Sequence, residues 1–370
     1  MSAAPAAATP GRAMPLTWPA FLAFLFFYRS VLGVLADTVV RQFTSLGDAH
    51  KYQYGDLSYA SFAGGSTAVT VYIGYIFNKL SFGNAYLTNV WFQAMAFVGI
   101  ASFLTALKGR DRRLIALLCL TPSFNLWSSV ASKAAVLVFC VGLIAAMVAR
   151  MANGTFKLKL WHLPAIVLTG YYKPQFMPAI VFLLATYLLA PYLRQRTAMI
   201  LLGSLVSLLA LYFAADEVDR MAFDVIPHFR ETGGSTRPVF WDQEYDVFYK
   251  APLGMYLSFV GPTIEEAFSG HAMLAFAFAE SAVILTIALY LLLSRLPRLP
   301  LFNFFVFVFG MFWLLFPNYP VGVMNPGSAV RYRTGYILIF FLFFTVVLAR
   351  EPIVRWVRQG RQRPSTAQPA

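Results

Sequence analysis

Charge is what this sequence has least of. Only 12% of its 370 residues are Asp, Glu, Lys or Arg, about half the share of an average soluble protein. Cysteine is scarce too: Cys119 and Cys140 both sit in apolar runs, with no spacing for a disulfide framework or a metal site. Hydrophobic residues fill the chain instead, 59% of the total, including 36 Phe, 19 Tyr and 7 Trp. A soluble domain could not keep that much apolar surface from water. A soluble cytosolic enzyme, a secreted disulfide scaffold and a disordered chain are therefore excluded. The sequence reads as an integral membrane protein.

The apolar runs predict an all-α polytopic membrane protein with about 10 transmembrane or deeply penetrating helices. The first run follows Met14. Val34-Leu35-Ala36 resembles a signal-peptide cleavage site, but one Arg precedes the run and Arg29 interrupts it, so a retained span is expected. Further runs lie at 85–107, 114–131, 134–149, 160–172, 175–190, 197–215, 271–294, 301–317 and 335–349. Tyr171-Tyr172-Lys173-Pro174 splits the stretch 160–190 into a hairpin. At ~1.5 Å per residue its first half reaches only ~20 Å, enough to dip into a bilayer rather than cross it. Pro122 points to a broken or bent helix end. After the first span, SFAGGSTAVTVYIGYIFNKLSF is apolar but rich in Gly, Ser, Thr and Tyr, and reads as an interfacial helix.

Basic residues collect at alternate connections: 108–113, 150–159, 194–196, 295–298 and 350–363, with Arg12 at the start. Asp111 and Glu351 are the acids among them. Positive charge gathers on the cytoplasmic side, so both termini are expected inside, with external loops at 36–84, 216–270 and 318–334. Residues 1–14 read as a disordered cytoplasmic N-terminus, 15–349 as a single transmembrane domain and 350–370 as a basic cytoplasmic tail. The surplus charge is a topology signal and a contact with anionic lipid headgroups, not a nucleic-acid surface. The short cytoplasmic connections hold no glycine-rich phosphate loop, Walker pattern or Asp-x-Asp pair. A cytosolic nucleotide site and ATP-driven transport by this chain alone are excluded. Chemistry, if present, is expected outside.

One candidate group follows the first span, in SLGDAHKYQYGD. Asp48 sits behind Gly47, with His50 and Tyr52 after it and Asp37 and Asp56 on either side. A carboxylate at the membrane surface can serve as a general base. Asp before a helical run is equally a common N-cap, and both readings stand. Lys133, Lys173, Arg331 and Arg333 lie at outer helix ends. Converging cations there would neutralise a lipid-linked phosphate, whereas separate ones would snorkel to headgroups. Arg29 and Glu280 fall inside spans, where charges are costly. Arg29 either snorkels or supports the site, and Glu280, protonated, paired with Arg29 or hydrogen-bonded across helices, is either a structural tie or a supporting site residue. No metal site is expected.

Several segments then carry a resemblance: GDAHKYQ after the first span, FGNAYLTNVWFQAMAFVGI entering the second, PSFNLWSSVASK, LTGYYKPQ, and APLGMYLSFVGPTIEEAF leading to Glu280. In this order, over roughly residues 15–350, the chain resembles the GT-C superfamily of membrane glycosyltransferases, which take sugars from polyprenyl-phosphate donors, and bacterial envelope-polysaccharide polymerases related to them. The resemblance implies an acidic base in the first external loop, where Asp48 fits, and basic residues on the donor phosphate, where Lys133, Lys173, Arg331 and Arg333 fit. The chain differs in lacking an Asp-Asp or Asp-Glu pair after the first span and a large soluble C-terminal domain.

The leading expectation is a bacterial inner-membrane glycosyltransferase acting on the external face in cell-envelope or exopolysaccharide biosynthesis. Its partners would be a lipid-linked sugar donor, a saccharide or lipid acceptor and membrane lipids. His50, Tyr52, Glu280 and Arg29 would support the site, with no cofactor and metal dependence left open. The alternatives are an oligosaccharide-repeat polymerase, a transporter or flippase for a lipid-linked substrate, and a non-catalytic scaffold.

Overall fold

The computed structural model describes residues 17–42, 46–232, 237–270 and 272–350. The expectations for 1–14 and for the tail beyond Arg350 lie outside the described residues. Every regular element within them is helical. The first helix, α1 (Trp18–Thr38), is followed by two short helices, α2 (Ala49–Tyr54) and α3 (Leu57–Ala63), and by α4 (Gly65–Leu80). The expected interfacial helix is thus broken at Gly64 into α3 and α4. Next come α5 (Ala85–Ala106), α6 (Gly109–Leu118), α7 (Pro122–Ser129) and α8 (Lys133–Ala152). Thr121 is extended and Pro122 opens α7, because proline has no N–H to continue a helix but fits its first turn.

The hairpin is α9 (His162–Tyr172) and α10 (Met177–Leu189), turning at Lys173. A nearly unpacked α11 (Arg196–Phe213) leads to α12 (Ala215–Thr232). Short helices α13 (Asp246–Tyr249), α14 (Ala251–Val260) and α15 (Ile264–Ala267) precede α16 (Ala272–Leu293). Finally α17 (Leu301–Leu315), α18 (Tyr319–Val323) and α19 (Pro326–Leu342) close the chain, with one π turn after α19.

Seven helical stretches are long and apolar enough to cross a membrane: Trp18–Gln42, Ala85–Ala106, Lys133–Ala152, Pro174–Tyr192, Arg196–Phe213, Ala272–Arg298 and Pro326–Val347. The other expected segments are shorter: α6 and α7 divide one, α9 spans 11 residues, and α17 spans 15. The protein is an all-helical integral membrane protein. Its centre is α8, almost wholly buried between α5 and α19. The α5–α8 contact is backbone against backbone: a Cβ on Gly142 would lie 2.4 Å from the Gly99 carbonyl carbon. Small residues at such crossings let helices approach where lipid offers no hydrophobic drive for association.

Side-chain contacts define two ends of the bundle. At one, the Asn89 amide of α5 donates to the Asp37 carboxylate of α1 (3.0 Å) and its oxygen accepts from the Ala131 N–H just before α8 (2.8 Å). At the other, Arg110 donates to Tyr290 and Ser294, Arg295 pairs with Asp111 at 2.5 Å, and Arg112 lies over Trp18. The basic connections 108–113 and 295–298 meet at this second end. The first turn of α4 touches Lys133 and its last turn bonds Gln53 and Thr88. Both contacts are at the Asn89 end, so α4 lies across that end of the bundle rather than along it.

Helix α12 and residues 237–270 form a small cap with its own apolar cluster, built from Ala222, Ile226, Trp241, Val247 and Ala251 against Phe316, Tyr319 and Val323. The buried Trp241 N–H donates to the Tyr319 hydroxyl, which donates on to the Val247 carbonyl. Arg237 closes the cap, donating to both Glu266 oxygens and to the Val323 carbonyl.

Candidate functional site

Asp48 stands at the N-terminus of α2, yet its side chain makes no cap bond. Its two oxygens accept hydroxyls instead, Oδ2 from Tyr52 at 3.4 Å and Oδ1 from Tyr59 at 3.2 Å. Burial first, and the Asp48 charge second, push both phenols above their ordinary pKa, so they remain protonated donors. The neighbouring acids do other work. Asp56 is a true cap, accepting from the Ser58 and Tyr59 N–H groups of α3. Asp37 is a buried tie, bonded by Gln53 and Asn89 and paired with Arg41 at 3.4 Å. Of the three, Asp48 is the partly buried carboxylate that, among the described residues, accepts hydrogen bonds from hydroxyls.

Three of the four expected cations gather beside it. Arg331, on the first half of α19, lies against Gly47, where a Cβ would meet its Nη1 at 2.5 Å. Its guanidinium covers the Trp127 ring of α7 at 5.3 Å. Lys133, the first residue of α8, donates to the Thr67 hydroxyl of α4 at 2.5 Å and lies within electrostatic reach of Asp48 and Arg331. Lys173, at the hairpin apex, sits over the Tyr332 ring at 4.6 Å. Its ammonium is held down to about 8, by burial first and then by the charges of Lys133 and Arg331. Among the described residues, none of the three is ion-paired with a carboxylate.

Arg333 does not belong to this group, and its assignment to the donor phosphate is corrected. Two residues along a helix turn about 200°, so Arg333 points away from Arg331. It is buried in the bundle, donating to the Phe259 carbonyl (2.9 Å) and the Ser281 hydroxyl (2.8 Å), with Glu280 at 3.8 Å. Glu280 is therefore not the partner of Arg29. Its second oxygen accepts from the Ser123 N–H at 2.7 Å. Arg29, fully buried, donates to Asn125 (2.7 Å) and to the Ser128 carbonyl (3.0 Å). His50 is exposed and lies tilted against the Tyr54 ring, with centroids 4.6 Å apart. Tyr52 is at the centre.

Tyr59, Thr67, Trp127 and Tyr332 complete the arrangement and were not singled out by the sequence. Tyr332 stands between Arg331 and Arg333 and Trp127 lies within the segment PSFNLWSSVASK, but nothing in the order of residues ties Tyr59 or Thr67 to Asp48. No group of three or more His, Cys, Asp or Glu among the described residues could hold a metal ion. Comparison with family models, with curated proteins and with solved structures finds no match to this chain.

Chemically, the site sets one hydroxyl-bonded carboxylate beside three cations. The carboxylate can accept a proton. The cations, half-buried and not ion-paired among the described residues, can hold an anion of more than one charge.

Proposed function

We propose that this protein transfers a sugar from a lipid-linked phosphate donor to an acceptor hydroxyl, as an envelope-polysaccharide glycosyltransferase of the GT-C kind in a bacterial inner membrane. The observation that supports the reading is that Asp48, free of capping duty, stands beside Lys133, Lys173 and Arg331. An acceptor hydroxyl is a poor nucleophile until a base takes its proton. Asp48 takes it as the acceptor oxygen bonds the anomeric carbon. The bond from that carbon to the phosphate oxygen breaks with its electron pair, and the three cations receive the charge on the departing phosphate. Tyr52 and Tyr59 hold the carboxylate in place, and their hydroxyls steady its charge before the proton arrives. By the charge rule, this end of the bundle faces outward and both termini lie in the cytoplasm.

The test is transfer by the purified chain in lipid nanodiscs, with a polyprenyl-phosphate-linked sugar as donor and membrane-extracted saccharides as acceptors. The wild-type chain is expected to lengthen the acceptor and Asp48→Asn is not. Equal transfer by both would remove Asp48 from the reaction. A product many repeat units long would favour the polymerase form of the same chemistry.

A further inference from the structure

The half-helix α7 is eight residues long and separated from α6 by the extended Thr121. Its two ends meet Arg29 and Glu280, the two buried charges that the sequence left as structural ties or supporting site residues. At its start, the Ser123 N–H donates to Glu280 Oε2 at 2.7 Å. At its end, the Ser128 carbonyl accepts from Arg29 Nη2 at 3.0 Å. A helix carries partial positive charge at its first turn and partial negative charge at its last. Each buried charge therefore faces the end of opposite sign. Arg29 is 0% and Glu280 6% exposed, so solvent screens neither interaction.

What α7 carries explains why it should be held so firmly. Trp127 lies under the Arg331 guanidinium. The Trp127 carbonyl accepts from the Ser132 hydroxyl at 2.9 Å, and Ser132 caps α8, whose first residue is Lys133. A shift of α7 would move Trp127 and Lys133 together.

We infer that Glu280 and Arg29 are positioning residues that grip α7 by its two ends and so set Trp127 and Lys133 against Arg331 for an anionic lipid phosphate. The inference rests on the reading of the cation cluster as a donor site. Arg333 takes part through Glu280, whose other oxygen faces it.

The experiment uses the full chain in nanodiscs containing polyprenyl phosphate, with Glu280→Gln, Arg29→Gln and Arg29→Lys. Amide exchange across 122–129 and the affinity for polyprenyl phosphate are both measured, and thermal melting checks that each variant is folded. The two Gln variants should exchange faster in 122–129 and bind the phosphate about tenfold more weakly. Arg29→Lys, which keeps the cation without its fork, should recover most of the affinity. Unchanged exchange would overturn the inference. So would faster exchange with wild-type affinity, or a Lys variant no better than Gln. If Glu280→Gln fails to fold, the Arg29 pair decides alone. No binding by the wild-type chain would instead sink the donor-site reading and the ligand half of this inference, while the exchange pattern still tests the grip on α7.

Discussion

Arg331 occupies the space that any side chain at position 47 would need. A Cβ there would lie 2.5 Å from its Nη1, and Gly47 has φ +63°, a conformation L side chains rarely adopt. One glycine thus seats the cation and turns the chain into Asp48.

Gly47→Ala is expected to damage the site twice over. The left-handed backbone costs roughly 1–2 kcal/mol, and the methyl displaces the guanidinium toward Trp127. Transfer should fall while membrane insertion and protein level stay near wild type. A fully active Ala variant would show that Arg331 can leave this position without consequence.

The two acids of the same loop should separate cleanly. Asp48→Asn should lower transfer by at least about 10²-fold, the low end for a positioned base, with little change in melting temperature. Asp56→Ala removes the α3 cap and should lower the melting temperature while transfer persists. The reverse pattern would assign Asp48 to structure and reopen the search for a base.

Lys173 gives the site a pH signature. Its ammonium, held down to about 8 by burial and by Lys133 and Arg331, is the form that binds an anion. Affinity for polyprenyl phosphate should be level between the phosphate's own second pKa, about 6, and that pH, and fall as the pH rises through it. A bound anion favours the charged form, so the midpoint in the complex lies above that of the free protein. Lys173→Arg, whose guanidinium stays protonated, should extend the plateau to higher pH. Identical profiles for the two would show that Lys173 does not contact the phosphate.

Sidedness is open to cysteine labelling, since Cys119 and Cys140 are buried and give little background. Gln243→Cys, on the exposed face of the cap, should react with an impermeant reagent in intact cells. Arg110→Cys, at the basic end, should not. Labelling at 110 from outside would invert the bundle and bring the Asp48 cluster to the cytoplasm.

The sequence by itself determined the features that depend on local chemistry. Apolar composition made the chain a helical membrane protein, because a backbone in lipid must satisfy its own hydrogen bonds. Pro122 and the Tyr-Tyr-Lys-Pro turn broke helices where they stand. Which charges share a site depended on how helices distant in sequence come together, and only the tertiary structure decided that. Helical periodicity puts Arg331 and Arg333 on opposite faces, but not which face meets Asp48 and which meets Glu280. The carboxylate of Asp48 makes no cap bond and instead accepts from Tyr59, eleven residues on, and from Tyr52. Arg29 and Glu280, for which a mutual pair was one of the readings open from sequence, face opposite ends of α7: in a water-poor interior each charge takes the nearest opposing dipole, and only the packed helices say where that dipole is.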